Sequence, residues 1–241
     1  NEFGQLGDGT TETKRAPLRL VDSGVTSISA GVRHSLFVKS DGSLWGMGYN
    51  WSKQLGDGVE NQSDVPIRIV EAGVKTAYAG FEGILILNAD GSLWRVGHVA
   101  NGFSSHSPEL FIETGVVDCS VHYGSYLIVK SDGSLWALGI NSDGRIGGSD
   151  WYDLQELTMI VSSGVVSAVV GDSMSCFRKS DGSLWGVGKN VMGLWGDDLE
   201  KVYRTPLPLI NSRVLDFEEG RGSVLILRDD HSIWGAGKNI E

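Results

Sequence analysis

The chain has 241 residues, with 20 Lys and Arg against 30 Asp and Glu, and a formal net charge of −10. That balance argues against a nucleic-acid partner, because gripping phosphates takes clustered Lys and Arg. No run of 18 apolar residues is present to insert into a membrane as a helix.

In chain order, the first informative phrase is Asp-Gly-Ser-Leu-Trp at Asp41. It recurs at Asp90, Asp132 and Asp181, and returns as Asp-His-Ser-Ile-Trp at Asp230, in steps of 49, 42, 49 and 49 residues. A period in the forties with strand-like residues marks a propeller or solenoid. Five such units account for nearly all of residues 1–241, which therefore read as a single domain.

Residues 24–70 show one unit in full. Residues 24–31 alternate small and apolar side chains, residues 34–39 form a second β-rich run, and Ser40-Asp41-Gly42 turns the chain with the Asp-Gly pair that a tight hairpin favours. Residues 43–48 return as a third strand, and after a polar loop residues 65–70 form a fourth. Four short antiparallel strands make a propeller blade, with the small-residue strand innermost. Trp45, Trp94, Trp136, Trp185 and Trp234 then fall at one place in every blade, where a large ring packs between neighbouring sheets.

Further along, the repeat between Asp90 and Asp132 is shortened and holds His98 and His106 in an irregular loop. Two histidines without a Cys or carboxylate cluster do not complete a metal site. Cys119 and Cys176 stand where the first repeat has Ile28 and Leu36, so both are expected as buried thiols. At the end of the chain, Asn239 is the repeat equivalent of Asn1. Segment 15–20 is therefore expected to complete the sheet of residues 213–238, closing a five-bladed ring and hiding its strand edges. A piece of a longer array, cut within a repeat and lacking a leader because it opens inside one, is the alternative.

The phrase Asp-Gly-Ser-Leu-Trp-Gly-x-Gly-x-Asn followed by Gln-Leu-Gly-Asp-Gly resembles the regulator of chromosome condensation repeat family in its bacterial style, as does the stretch Ser23-Gly24-Val25 to Leu36. The resemblance implies an all-β β-propeller. Family members usually carry seven blades, so five repeats are a departure. Eukaryotic relatives include a nucleotide exchange factor and chromatin-bound proteins; the acidic charge and the lack of an inserted wedge argue against carrying those roles over. A bacterial propeller with similar repeats is a secreted inhibitor that caps beta-lactamases with loops on one face. That precedent implies a loop-built protein-binding surface and favours an extracellular or cell-surface setting.

Positions that agree between repeats serve the architecture, and function is sought where they differ. The loops between first and second strands vary most, and all are expected to emerge on one face. They supply the partner-binding candidates Arg33, Phe81, Glu82, Tyr123, Asp172 and Arg221, a mixture that suits protein recognition. The long loops between third and fourth strands hold further aromatics, Phe3, Phe103 and Tyr203 among them. Trp51, Trp151 and Tyr152 are the secondary candidates, whereas Trp195 replaces Leu6, Leu55 and Ile146 and belongs to the core.

Catalysis finds little support. Gly46-x-Gly48, Gly186-x-Gly188 and Gly235-x-Gly237 open no helix and lack phosphate-binding geometry. His34 is expected as a hydrogen-bonded structural residue, and Asp8 and Asp57 as turn stabilisers instead of calcium ligands. Asn50-Trp51-Ser52 and Asn61-Gln62-Ser63 fit the glycosylation pattern. The reading is a non-enzymatic module with no cofactor and no metal that binds a protein partner. The alternatives are a lectin-like carbohydrate binder, which the unlike loops disfavour, or an enzyme-inhibitor propeller similar to the secreted beta-lactamase inhibitor.

Overall fold

In the computed structural model, the described residues are 1–58, 61–99, 102–148, 152–190, 193, 195, 201–220 and 223–237. Every regular element among them is a strand. The first sheet runs β1 (Val25–Ala30), β2 (His34–Lys39), β3 (Leu44–Gly48), β4 (Ser63–Val70), and the second β5 (Val74–Ala79), β6 (Glu82–Asn88), β7 (Leu93–Val99), β8 (Phe103–Ile112). The third comprises β9 (Val116–His122), β10 (Ser125–Lys130), β11 (Leu135–Gly139) and β12 (Leu154–Val161). The fourth comprises β13 (Val165–Val170), β14 (Met174–Lys179), β15 (Leu184–Lys189) and β16 (Val202–Ile210), and the fifth β17 (Val214–Gly220), β18 (Ser223–Arg228) and β19 (Ile233–Gly237). Neighbours follow sequence order in every sheet, and the pairs within β1–β4, β5–β8, β10–β12, β13–β16 and β17–β19 are antiparallel. Residues 1–116 form one compact unit and residues 117–241 another.

The recurrent phrase builds each hairpin through a short hydrogen-bond relay. Asp41 Oδ1 accepts from the Ser43 amide at 2.9 Å and its hydroxyl at 2.6 Å, and Ser43 Oγ accepts the Trp45 indole N–H at 2.8 Å. The same relay ties Asp132, Ser134 and Trp136, and Asp181, Ser183 and Trp185. Gly42, at φ 78°, takes the left-handed conformation that the turn requires. Bonds from Ser43 hold the Asp41 carboxyl below its usual range.

Sheets then pack face to face. Leu36, Val38 and Leu44 of the first sheet bury against Val74, Ala77, Ile84 and Ile86 of the second, with Trp94 packed on the cluster. In the other unit, Leu127, Val129 and Leu135 meet Val165, Ala168 and Phe177 with Trp185 at the margin, and Met174 and Cys176 meet Val214, Phe217 and Ile226. Trp94 and Trp185 are thus packing elements between sheets, whereas Trp234 of the fifth sheet is 54% exposed. Within each unit the small-residue first strands of neighbouring sheets touch: Ser27 and Thr76 hydroxyls share a 2.8 Å bond, Ser29 Oγ accepts the Ala79 amide at 2.9 Å, and Ser120 Oγ accepts the Val170 amide at 3.0 Å.

At the two end blades the burial pattern breaks. Ile28 is 79% exposed, although its equivalents Ala77, Cys119, Ala168 and Phe217 are buried. Ile233 is 74% exposed, although Leu44, Leu93, Leu135 and Leu184 are wholly buried. Residues 15–20 form no strand, and the fifth sheet has three strands among the described residues. The hydrogen-bonded closure expected of segment 15–20 is therefore not among the strand pairings. Cys119 and Cys176 are buried thiols, with burial pushing both well above the usual thiol range.

Candidate functional site

The loops between first and second strands differ between the two units in what they assemble. In the unit of residues 1–116, Arg33 lies with its guanidinium 5.1 Å from the Phe3 ring centre and 5.6 Å from that of Tyr49. Phe81 is half-buried, and Glu82 opens β6 opposite His98. In the unit of residues 117–241, Tyr123 and Asp172 come together on one cleft of about 660 Å³. Arg221 and Trp151 lie outside the described residues. Trp51 and Tyr152 are 61% and 80% exposed.

His122, at the end of β9, places Nε2 2.6 Å from Asp172 Oδ1 in the loop after β13. Tyr123 stacks edge-on against the His122 ring, centroids 4.6 Å apart, from a backbone φ of 40°. A non-glycine residue in that region stores strain, which surrounding contacts must hold in place. Glu219 enters from β17, half-buried, with Oε1 lacking a hydrogen-bond partner among the described residues. Burial first, and the Asp172 charge second, push its carboxyl up to about 8.

Arg145 completes the lining from the loop between β11 and β12. That loop is held tightly: Asn141 Oδ1 accepts the Ile146 amide at 3.2 Å, Asn141 Nδ2 donates to the Gly147 carbonyl at 2.8 Å, and Gly144 and Gly147 take φ of 65° and 76°. Arg145 is 8% exposed. Its Nη2 donates to Ser142 Oγ at 3.2 Å and lies 3.7 Å from Asp143 Oδ2, while Nε has no acceptor among the described residues.

His122, Arg145 and Glu219 are missing from the sequence-derived candidates, yet each breaks the repeat. His122 stands where the other four repeats have Gly31, Gly80, Gly171 and Gly220. Glu219 replaces Ala30, Ala79, Val121 and Val170, and Arg145 replaces Gln5 and Gln54. Those glutamines have a structural task that Arg cannot perform: Gln5 Oε1 accepts the Phe3 amide and Gln54 Oε1 the Ser52 amide.

The other expectations resolve as follows. Asp8 accepts from the Thr10 amide and hydroxyl, and Asp57 from Asn50 Nδ2, as turn stabilisers do. His106 sits 2.6 Å from Lys53 Nζ. Trp195 packs on the core of Met174 and Cys176 and against Tyr203. His34 corrects its expectation: it is wholly buried, and neither ring nitrogen has a hydrogen-bond partner among the described residues. Its ring instead packs against the turn at Gly31, and burial lowers it to about 4.

Successive antiparallel sheets, each with a small-residue first strand and a Trp in its third, define a β-propeller repeat protein. The solved structure of human WBSCR16 is similar at TM-score 0.75 and 19% identity, over 90% of this chain and 62% of that one. Prp20p from Saccharomyces cerevisiae, described with its binding properties to Gsp1p and histones, is similar at TM-score 0.74 and 17% identity, over 88% and 57%. A structure of Kap60 bound to yeast RCC1 (Prp20) gives TM-score 0.73 at 17% identity, over 88% and 56%. The chain thus spans less than two thirds of these relatives. Two models described as regulator of chromosome condensation (RCC1) repeat match residues 1–38 and 25–53. No curated protein matches. Residues 1–53 thus match repeats of the regulator of chromosome condensation (RCC1) type.

Proposed function

We propose that the chain is a non-enzymatic binding module that recognises a protein partner through the loops joining the first and second strands of its blades. The observation that carries this is the cleft: Tyr123 and Asp172 line it together with His122, Arg145 and Glu219. Three of these five residues depart from positions the other repeats use for packing or turns. Departures scattered by drift have no reason to converge in space. The similar Prp20p, described with its binding to Gsp1p and histones, supports a protein-binding use of this fold. Fold alone does not define function, so the reading rests on the site.

The test is chemical cross-linking and affinity capture from the native source, comparing the intact chain with a variant carrying Ala or Ser at Arg33, Phe81, Glu82, Tyr123, Asp172 and Arg221. Loss of the captured protein supports the assignment, and unchanged capture by the variant overturns it. The exposure of Trp51 and Tyr152 favours a second reading, a carbohydrate ligand stacked on these rings. A glycan array without a hit disposes of it.

A further inference from the structure

The cleft between β9, β13 and β17 also indicates what chemistry it receives. Arg145 carries a guanidinium charge at 8% exposure. A buried charge is stable only when paired and hydrogen-bonded. Among the described residues its contacts are thin: one 3.2 Å bond to Ser142 Oγ, and Asp143 Oδ2 at 3.7 Å. Asp172, the other charged group on the cleft, is engaged by His122 at 2.6 Å. Glu219 presents a carboxyl whose Oε1 has no partner among the described residues.

We propose that this cleft binds a carboxylate, the side chain of an Asp or Glu on a protein partner, held between the Arg145 guanidinium and the Glu219 carboxyl group. The proposal rests on the protein-binding reading and specifies its chemistry. A guanidinium offers a planar fork of N–H donors that matches a carboxylate. Glu219 contributes a donor only while protonated, and its carboxyl, raised to about 8, keeps its proton at neutral pH. The groups facing it are His122 from the end of β9, Asp172 and Tyr123 from the neighbouring loops, Arg145 from the β11–β12 loop, the Cys176 thiol of β14, and Glu218 beside it on its own strand. Of these only Asp172 adds to burial in raising it. Replacing Arg145 by Gln restores the residue that Gln5 and Gln54 show the fold accepts at this position.

The experiment is calorimetric titration of the full chain with tetraglutamate, tetralysine and inorganic phosphate at pH 7 and pH 9. Tetraglutamate is expected to bind at pH 7 and to weaken about tenfold by pH 9 as Glu219 ionises. Arg145→Gln is expected to lose binding at both pH values, whereas Glu219→Gln, which keeps a donor, binds equally at both. No tetraglutamate binding at pH 7, or unchanged binding by Arg145→Gln, overturns the proposal. So does tetralysine or phosphate binding better than tetraglutamate, or a Glu219→Gln variant that still weakens at pH 9. The capture experiment above uses no acidic probe, so the binding-module reading stands or falls separately.

Discussion

The Glu219 carboxyl group occupies the space that any side chain on Gly171 would need, so a Cβ there falls inside it. Gly171 has no left-handed backbone requirement, so the constraint is one of space. Gly171→Ala is therefore expected to push Glu219 out of the cleft and lower its titration toward the ordinary carboxylate range. The atoms displaced are the far end of a flexible side chain, so the cost in stability is expected to be small and the titration of Glu219 carries the test. The control is Gly220→Ala, at the equivalent position, where the nearest atom is Ser223 Oγ at 3.5 Å, an ordinary contact. Carbon-detected NMR of the Glu219 carboxyl in both variants checks this; equal titration of the two refutes it.

Glu219 also gives the stability a pH dependence. Its folded value, about 8, lies above the unfolded value of 4.5. Between these values the folded state holds a proton that the unfolded chain has lost, so stability falls as pH rises through this window and levels off above it. The size is a fraction of ~1.4 kcal/mol per unit, because the carboxyl is part-exposed and screened. Glu219→Gln is expected to flatten the urea midpoint between pH 5 and 9; a slope unchanged by the substitution refutes the assignment.

His34 acts at the acid end with the opposite sign. Its value falls from 6.5 to about 4 through burial. The stability tied to its neutral form is complete above 6.5 and is lost as pH falls toward 4. Met174 occupies the same repeat position, wholly buried. His34→Met is therefore expected to fold and to retain stability at pH 4 by up to ~3 kcal/mol relative to the parent chain. Urea unfolding at pH 4 and pH 7 measures the difference; parallel losses in both proteins contradict it.

The scaffold is legible in the sequence because each recurrent residue has one physical task. Asp41, Ser43 and Trp45 are read as turn and packing ring, and the structure joins them into a relay. The cleft is only half legible. Tyr123 and Asp172 sit in the variable loops where function is sought, but His122, Arg145 and Glu219 sit one step outside, in strand ends and a glycine-rich turn. A position-by-position comparison exposes them, since a His among glycines, a Glu among Ala and Val, and an Arg among glutamines need reasons. Their convergence is not legible, because it depends on how three separate strands and a loop pack.

The relay itself makes Ser43 a sensitive position. Its hydroxyl donates to Asp41 and accepts from Trp45, and the residue is 1% exposed. Ser43→Ala breaks both bonds and leaves the half-buried indole N–H without its acceptor, at a cost of about 1–3 kcal/mol. Ser232→Ala removes the same pair of bonds around Asp230 and Trp234, but in an exposed setting where water replaces them. Its cost is expected to stay below about 1 kcal/mol. Equal losses in thermal unfolding would mean that burial does not govern the relay.

The last contrast concerns the outer face of the fifth blade. Leu135 and Ile233 are the same repeat position, three residues after the turn Asp, but the first is wholly buried and the second 74% exposed. Leu135 packs with Leu127, Val165 and Phe177 in a core spanning two sheets. Leu135→Ala loses that burial and leaves a cavity, costing about 2–5 kcal/mol. Ile233 borders a shallow apolar groove with Phe217, Leu225 and Leu227, and its side chain loses little on truncation. Ile233→Ala is expected to change stability by no more than about 0.5 kcal/mol. Urea unfolding of the two variants decides it, and a loss at Ile233 matching that at Leu135 shows that this face is covered in solution.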